Sequence, residues 1–335
     1  MRVAKAGLHG LFAVYKPPGV PWFSVRETVE TQLLKDLNSL ERPAPRQHVR
    51  FLPGTVEGSH GKELTMTVTQ VPVLADHPLV SGPMFTHLKI GTGHLLDTKS
   101  SGVFVLGAGR GKKLLADLYH AHLTRTYTVR GLFGKATDDF SDTGKLIEKT
   151  TFDHITSEKL ERIVAVIQGS HHKALLQHTN IDLQTQEAYE LAVKGLLRPT
   201  EKSPPLITAI RCFQFAPPEF QLEIHCLNET QQYLRKIVHE IGLELKSTAV
   251  CTQVRRVRDG VFTVDDALLR TQWNLDNIRS AIQQSRFKVT AELQQSLAYQ
   301  ESFTDDEEET GVAQMEDGPQ DSRGEDSLPA ISVTK

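Results

Sequence analysis

The sequence predicts an α+β fold in which a mixed, mainly antiparallel sheet carries flanking helices, and three observations predict it. Short apolar runs with period-two alternation recur along the chain, yet no regular βαβ alternation and no internal repeat links them. Between residues 230 and 246, Leu234, Ile237, Val238, Ile241 and Leu245 fall on one stripe of a helix. Val250 to Val264 reads as a hairpin around Asp259-Gly260, a dipeptide suited to a tight turn. A doubly wound nucleotide fold is disfavoured: Gly107-Ala108-Gly109-Arg110-Gly111 breaks the G-x-G-x-x-G spacing, and no phosphate-loop lysine pattern occurs.

The elements follow in order. Leu11 to Val14 is a short strand stopped by Lys16-Pro17-Pro18-Gly19, where proline fixes φ and removes donors. Val25, Val29, Leu33 and Leu37 give residues 24–38 a helical period. Residues 41–63 are polar and turn-rich, and Leu64 to Val71 alternates like an edge strand. Val103 to Leu106 is a buried strand and Lys112 to His122 a helix. Thr124 to Phe133 alternates, which puts Arg125, Tyr127 and Val129 on one face. Helical segments near 157–168 and 186–196 precede strands Leu206 to Phe215 and Phe220 to Cys226. After the 230–246 helix and the hairpin, Thr263 with Asp266 resembles a capping box before Ala267.

With 335 residues, 39% of them hydrophobic and 24% charged, the chain can bury a full core, which excludes a wholly disordered or fibrous protein. No apolar run approaches the ~20 residues that cross a bilayer. Cys212, Cys226 and Cys251 are odd in number and widely spaced, which disfavours a disulfide framework or a zinc ribbon. His120, His122, His171, His172 and His178 fit no zinc spacing, so no metal is expected. From Glu301 to Lys335 eleven acids face two bases, a net −9, whereas residues 1–300 carry 36 bases and 30 acids, a net +6. A mildly basic body points to a polyanion partner, and the acidic tail from about residue 298 is predicted disordered.

The stretch that carries chemistry is Gly91-Thr92-Gly93-His94-Leu95-Leu96-Asp97-Thr98-Lys99-Ser100-Ser101-Gly102, directly before the buried strand. No second carboxylate nearby supplies a glycosidase pair. A lone aspartate can still act as nucleophile or base if something keeps it ionised.

This loop resembles the catalytic loop of pseudouridine synthases, and the remaining motifs resemble the TruB family in order. Leu11 to Gly19 is similar to its Lys-Pro-x-Gly motif. Arg125-Thr126-Tyr127 with Gly134, Thr137, Asp138 and Gly144 resembles its basic-x-Tyr strand and Thr-Asp loop. Tyr189 with Ala192, Lys194 and Gly195 resembles a helix motif. Ile224-His225-Cys226, Tyr233-Leu234-Arg235 and Glu240-Ile241-Gly242 are similar to the strand and Tyr-Ile-Arg helix. Val254-Arg255-Arg256-Val257-Arg258 with Gly260 and Phe262 resembles the C-terminal motif. The matches span residues 11–268, and their wording is most similar to the vertebrate mitochondrial branch.

The resemblance implies a pseudouridine synthase fold over residues 1–297, with an insertion at about 39–85, a thumb-like region at about 145–200 and the tail at 298–335. It implies a cofactor-free isomerase that flips a uridine out of RNA, breaks N1–C1′ and rejoins the base through C5. Asp97 would attack C1′ of the ribose or C6 of uracil, or assist glycal formation. Arg235 would keep it charged, and Tyr127 would stack on the base. Lys16, Arg125, Arg255 and Arg256 are candidate phosphate contacts, as are Lys112, Lys113 and Arg258; His94 and Tyr233 are further candidates for RNA binding. If the chain is extended at Tyr233, that residue shares a face with Arg235; if helix has begun, the two diverge by about 200°.

Four departures from the family pattern matter. His94 lies three residues before Asp97, as in the sister RluA family, and Thr98 replaces proline. The thumb lacks its usual motifs, with Asp182 at a lysine position. Two extra residues precede Arg235. No further RNA-binding domain fits after residue 270. They point away from tRNA and towards mitochondrial mRNA, with rRNA and tRNA as other substrates. Arg2, Lys5, Lys16 and Arg26 precede the first acid, Glu27, which with the resemblance places the protein in the mitochondrial matrix, with RNA-granule proteins as candidate partners. The rival readings are an inactive member serving RNA binding or RNP assembly, and an RluA-like rRNA enzyme.

Overall fold

The computed structural model describes residues 8–40, 44–58, 61–179, 185–186, 189–190, 198–199 and 203–310. Its centre is a nine-stranded mixed sheet, ordered β13-β1-β5-β11-β6-β10-β9, with β12 paired to β11 and β4 to β5. These strands are β1 Gly10–Lys16, β4 Ile90–Thr92, β5 Ser101–Ala108, β6 Arg125–Phe133, β9 Leu206–Ala216, β10 Glu219–Leu227, β11 Ala249–Asp259, β12 Phe262–Thr263 and β13 Ala267–Leu268. β1 with β13 and β5 with β11 are parallel pairs and the others antiparallel, as α+β periodicity predicts. Two small hairpins stand outside it, β2 Gln47–Gly58 with β3 Gly61–Pro72 and β7 Lys135–Thr137 with β8 Leu146–Lys149.

Helices cover both faces. On one, the stripe predicted for 230–246 forms α5 (Gln231–Glu244). Its Leu234, Ile237, Val238 and Ile241 bury with Val25, Val29, Leu33 and Leu37 of α1 (Trp22–Ser39), against Phe12, Phe104, Tyr127 and Ile224 of the sheet. On the other, Leu115 of α3 (Gly111–His120) and Val289 of α6 (Leu275–Thr310) meet Leu11, Ala13, Val103 and Val105. A short α2 (Pro78–Ser81) and α4 (Ser157–His178) are further helices among the described residues.

The glycine at position 102 is obligatory. Gly102 sits at φ +115°, and a Cβ there would overlap the Arg256 carbonyl across the parallel β5–β11 pair. That close approach brings the end of β5 nearest the Asp97 loop against β11.

Several elements differ from expectation. The segment read as polar and turn-rich contains β2, because His48 and Arg50 alternate with Val49 and Phe51 in a ribbon whose described faces are both largely solvated. The Thr263–Asp266 box is present, with the Thr263 N–H donating to Asp266 at 3.0 Å, but it caps one 3-10 turn before β13 rather than a helix. The compact unit ends at Leu293, and the following backbone is helical to Thr310, across the start of the predicted disordered tail. Most of the helix expected at 186–196, including Ala192, Lys194 and Gly195, lies outside the described residues, as do Asp182, Arg2, Lys5 and residues 311–335.

Candidate active site

The loop between β4 and β5 carries Asp97 on a buried anchor: Leu96 is fully enclosed in the core, so its neighbour faces outward. Asp97 Oδ2 accepts from Arg235 Nη2 at 2.6 Å, and Oδ1 accepts from the Ser100 N–H at 2.8 Å. Burial would raise the Asp97 pKa, but hydrogen bonding from Ser100 and the Arg235 guanidinium overcome it and hold the carboxyl below its usual range. Arg235 reaches it from the first turns of α5, and a single N–H bond makes the pair, not a two-pronged fork.

Two side chains fix the loop itself. Gln231 uses both ends of its amide: Oε1 accepts from the Asp97 N–H at 3.2 Å and Nε2 donates to the Leu95 carbonyl at 3.2 Å. Lys16 donates to the carbonyls of Ser100 at 2.6 Å, Pro17 at 3.2 Å and Thr98 at 3.5 Å. It is fully buried, and burial lowers its pKa to about 8 against the opposing pull of Asp97. Lys16, expected as a phosphate contact, is thus a pin inside the loop whose ammonium bonds backbone oxygens.

Beneath the loop lies a buried polar cluster. Tyr127, on the inward face of β6, is fully enclosed, and its hydroxyl donates to Glu229 Oε1 at 2.7 Å. Burial and the Glu229 charge push its pKa far up, so it stays a neutral phenol. Arg125 donates to Asp259 at 3.0 Å and Glu229 at 3.4 Å. Arg256, with no exposed surface, donates to the Val103 carbonyl at 2.8 Å, the His94 carbonyl at 2.8 Å and His94 Nδ1 at 2.9 Å, and lies 3.4 Å from Asp259. Two guanidinium groups thus face two carboxylates. Burial, with Arg125 and Arg256 nearby, pushes the His94 pKa down to about 3, so that ring is neutral and accepts through Nδ1.

Arg125 and Arg256, expected as phosphate contacts, are buried and bond Asp259, Glu229, the Val103 carbonyl and His94. Helix has begun before Tyr233, since Thr230 caps α5 by accepting from the Tyr233 N–H at 3.2 Å. Tyr233 consequently turns away from Asp97 and meets His171 Nε2 at 3.1 Å. Arg255 is half-buried, its guanidinium 5.7 Å above the Tyr15 ring. Lys112 and Lys113 remain exposed on α3. Sequence reasoning missed Glu229, Gln231 and Asp259. The first two occupy the extra-long stretch before Arg235, and Asp259 was read only as a turn former.

Behind the loop is a cavity of about 770 Å³ whose lining includes His94, Leu95, Gln231, Arg125, Lys112 and Tyr119; Asp97 and Arg235 lie outside that lining. Among the described residues no group of three His, Cys, Asp or Glu is placed to hold a metal, and no helix is long and apolar enough to cross a membrane.

Comparison with known proteins decides what this arrangement belongs to. Residues 83–232, which include Asp97, Tyr127 and Glu229, match the family described as TruB family pseudouridylate synthase (N terminal domain). The chain is 66% identical over 291 residues to the human protein named pseudouridylate synthase TRUB2, mitochondrial, covering 87% of this chain and 88% of that one. The chain belongs to the TruB family of pseudouridylate synthases. It is likewise 67% identical over 279 residues to the Xenopus tropicalis protein of the same name, covering 83% of this chain and 86% of that one. To human pseudouridylate synthase TRUB1 it is 31% identical over 208 residues, 62% of this chain and 58% of the other. As a TruB-family member it is a pseudouridine synthase, a cofactor-independent isomerase, and the fold is the one its motifs imply.

Proposed function

We propose that this TruB-family enzyme isomerises uridines in mitochondrial RNA, messenger RNA foremost, with Asp97 as the reacting carboxylate. The observation that carries the reading is the 2.6 Å Arg235–Asp97 pair, which keeps a partly exposed carboxylate ionised at the end of a pinned loop. The substrate's N1–C1′ bond breaks, the uracil turns, and a C5–C1′ bond forms; the C5 proton leaves and N1 gains one, so no redox partner is needed. Attack by Asp97 at C1′, attack at C6, and removal of a ribose proton towards a glycal all require the same ionised oxygen. Stacking of the flipped base on Tyr127 requires the cover over that ring to move as RNA enters. The mitochondrial setting rests on the relatives named mitochondrial, and the preference for messenger RNA on the departures around the thumb.

The test is transcriptome-wide pseudouridine mapping in cells whose own copy is replaced by wild type or Asp97→Asn. Sites that vanish with Asp97→Asn from mitochondrial messenger RNA support the proposal. An unchanged map with retained RNA binding supports the scaffold reading instead.

A further inference from the structure

The stretch before Arg235 is two residues longer than the family pattern it resembles, and its side chains reach both halves of the site. Glu229, almost without exposed surface, receives the Tyr127 hydroxyl at 2.7 Å. Gln231, also buried, spans the catalytic loop from the Leu95 carbonyl to the Asp97 N–H. Arg235 holds the Asp97 carboxylate. Seven consecutive residues thus bond the ring and the carboxylate together, and Thr230, capping α5 between Glu229 and Gln231, makes the segment rigid.

We propose that Glu229 and Gln231 are positioning residues, forming with Arg235 a brace that sets the spacing between the Tyr127 ring and the Asp97 carboxylate. This rests on the reading of Asp97 and Tyr127 given above. A buried phenol needs an acceptor, but a neutral one would satisfy it. A carboxylate is used instead, and its charge is answered by Arg125 at 3.4 Å, while Asp259 answers Arg125 and Arg256. Arg256 in turn grips the His94 carbonyl three residues before Asp97. Glu229 is therefore tied to the loop twice, along the chain through Gln231 and through space by way of Arg125, Asp259 and Arg256. A ring and a carboxylate fixed to one segment keep their separation when the cover over Tyr127 opens. Geometry of this kind matters because a displacement of about 1 Å costs about a hundredfold in rate.

The test measures single-turnover kcat and KM on one RNA containing a mapped uridine, for Glu229→Gln, Tyr127→Phe, their double variant and Gln231→Ala. Glu229→Gln keeps shape and an acceptor oxygen; Gln231→Ala removes two bonds to backbone and keeps the proposal testable should the first fail to fold. Expected is a fall in kcat of about ten- to a hundredfold for each single variant with KM within twofold. The double variant should be no slower than the worse single, because both act through one hydrogen bond. Losses that multiply, or that fall on KM alone, overturn the brace. Asp97→Asn is run alongside: if it is inactive while the other losses multiply, only the brace fails, and if it converts like wild type, the reading of Asp97 fails and the brace with it.

Discussion

Replacing Arg235 by methionine removes the guanidinium while keeping an apolar stem at the margin of α5. Asp97 then keeps its burial and its hydrogen bonding from Ser100 but loses the opposite charge, so its pKa rises. Charges roughly 4 Å apart at an effective dielectric of about 20 interact by about 4 kcal/mol. Because Asp97 is 31% exposed, solvent screening reduces this to about 2 kcal/mol, or about 1.5 pH units on the acid side of the rate profile. The assay is single-turnover conversion of a uridine-containing transcript from pH 5 to 9. Wild type should hold its rate down to the lowest pH, whereas Arg235→Met should lose rate towards the acid end of that range and match the wild-type pH dependence at neutral pH and above. Arg235→Lys should recover part of the difference, since the pair is one hydrogen bond and not a fork. Identical acid limbs for wild type and Arg235→Met would refute the electrostatic account.

Three further outcomes follow from the same contacts. Gly102→Ala should lower stability by at least about 2 kcal/mol, read by denaturant unfolding, since φ +115° and the Arg256 carbonyl both oppose a Cβ. Lys16 has a folded pKa of about 8 against 10.5 in the open chain, so the unfolded state binds more protons between those values and stability rises with pH across that window; relative to Lys16→Met, wild type should gain up to about 3 kcal/mol from pH 7.5 to 10.5, and parallel curves would exclude a buried charged lysine. Tyr233→Phe should leave conversion within about twofold while lowering the melting temperature slightly, because its hydroxyl meets His171 and not the catalytic loop; a loss beyond tenfold would restore it to the site.

The strand behind Asp97 is legible as an apolar run, but Asp97 itself is legible only by resemblance, because an aspartate among Gly, Ser and Thr is by itself most often a turn former. Arg235 is legible by resemblance, and its place at the edge of the apolar stripe follows from helical geometry alone. What the sequence hides is buried charge. Lys16, Arg125 and Arg256 look like phosphate contacts in a basic chain, but in the fold they bond loop carbonyls and the acids Glu229 and Asp259. Lys16 with Ser100 and Arg125 with Glu229 pair across long stretches of sequence, which local pattern does not show, whereas Arg256 and Asp259 are only three residues apart. Tyr233 depends on where α5 begins, which the Thr230 cap fixes and periodicity leaves open. The β2–β3 ribbon was half seen because only Leu64 to Val71 alternates without interruption by glycine or proline.

The most direct measurement compares wild type and Asp97→Asn protein in vitro on a single RNA with one mapped uridine, scoring pseudouridine formation and RNA affinity together. The asparagine keeps the shape of the loop and removes only the negative charge that Arg235 stabilises. Asp97→Asn should bind the RNA with unchanged affinity and convert it at least about a thousandfold more slowly. Conversion at the wild-type rate, with the RNA equally bound, would contradict the role given to Asp97.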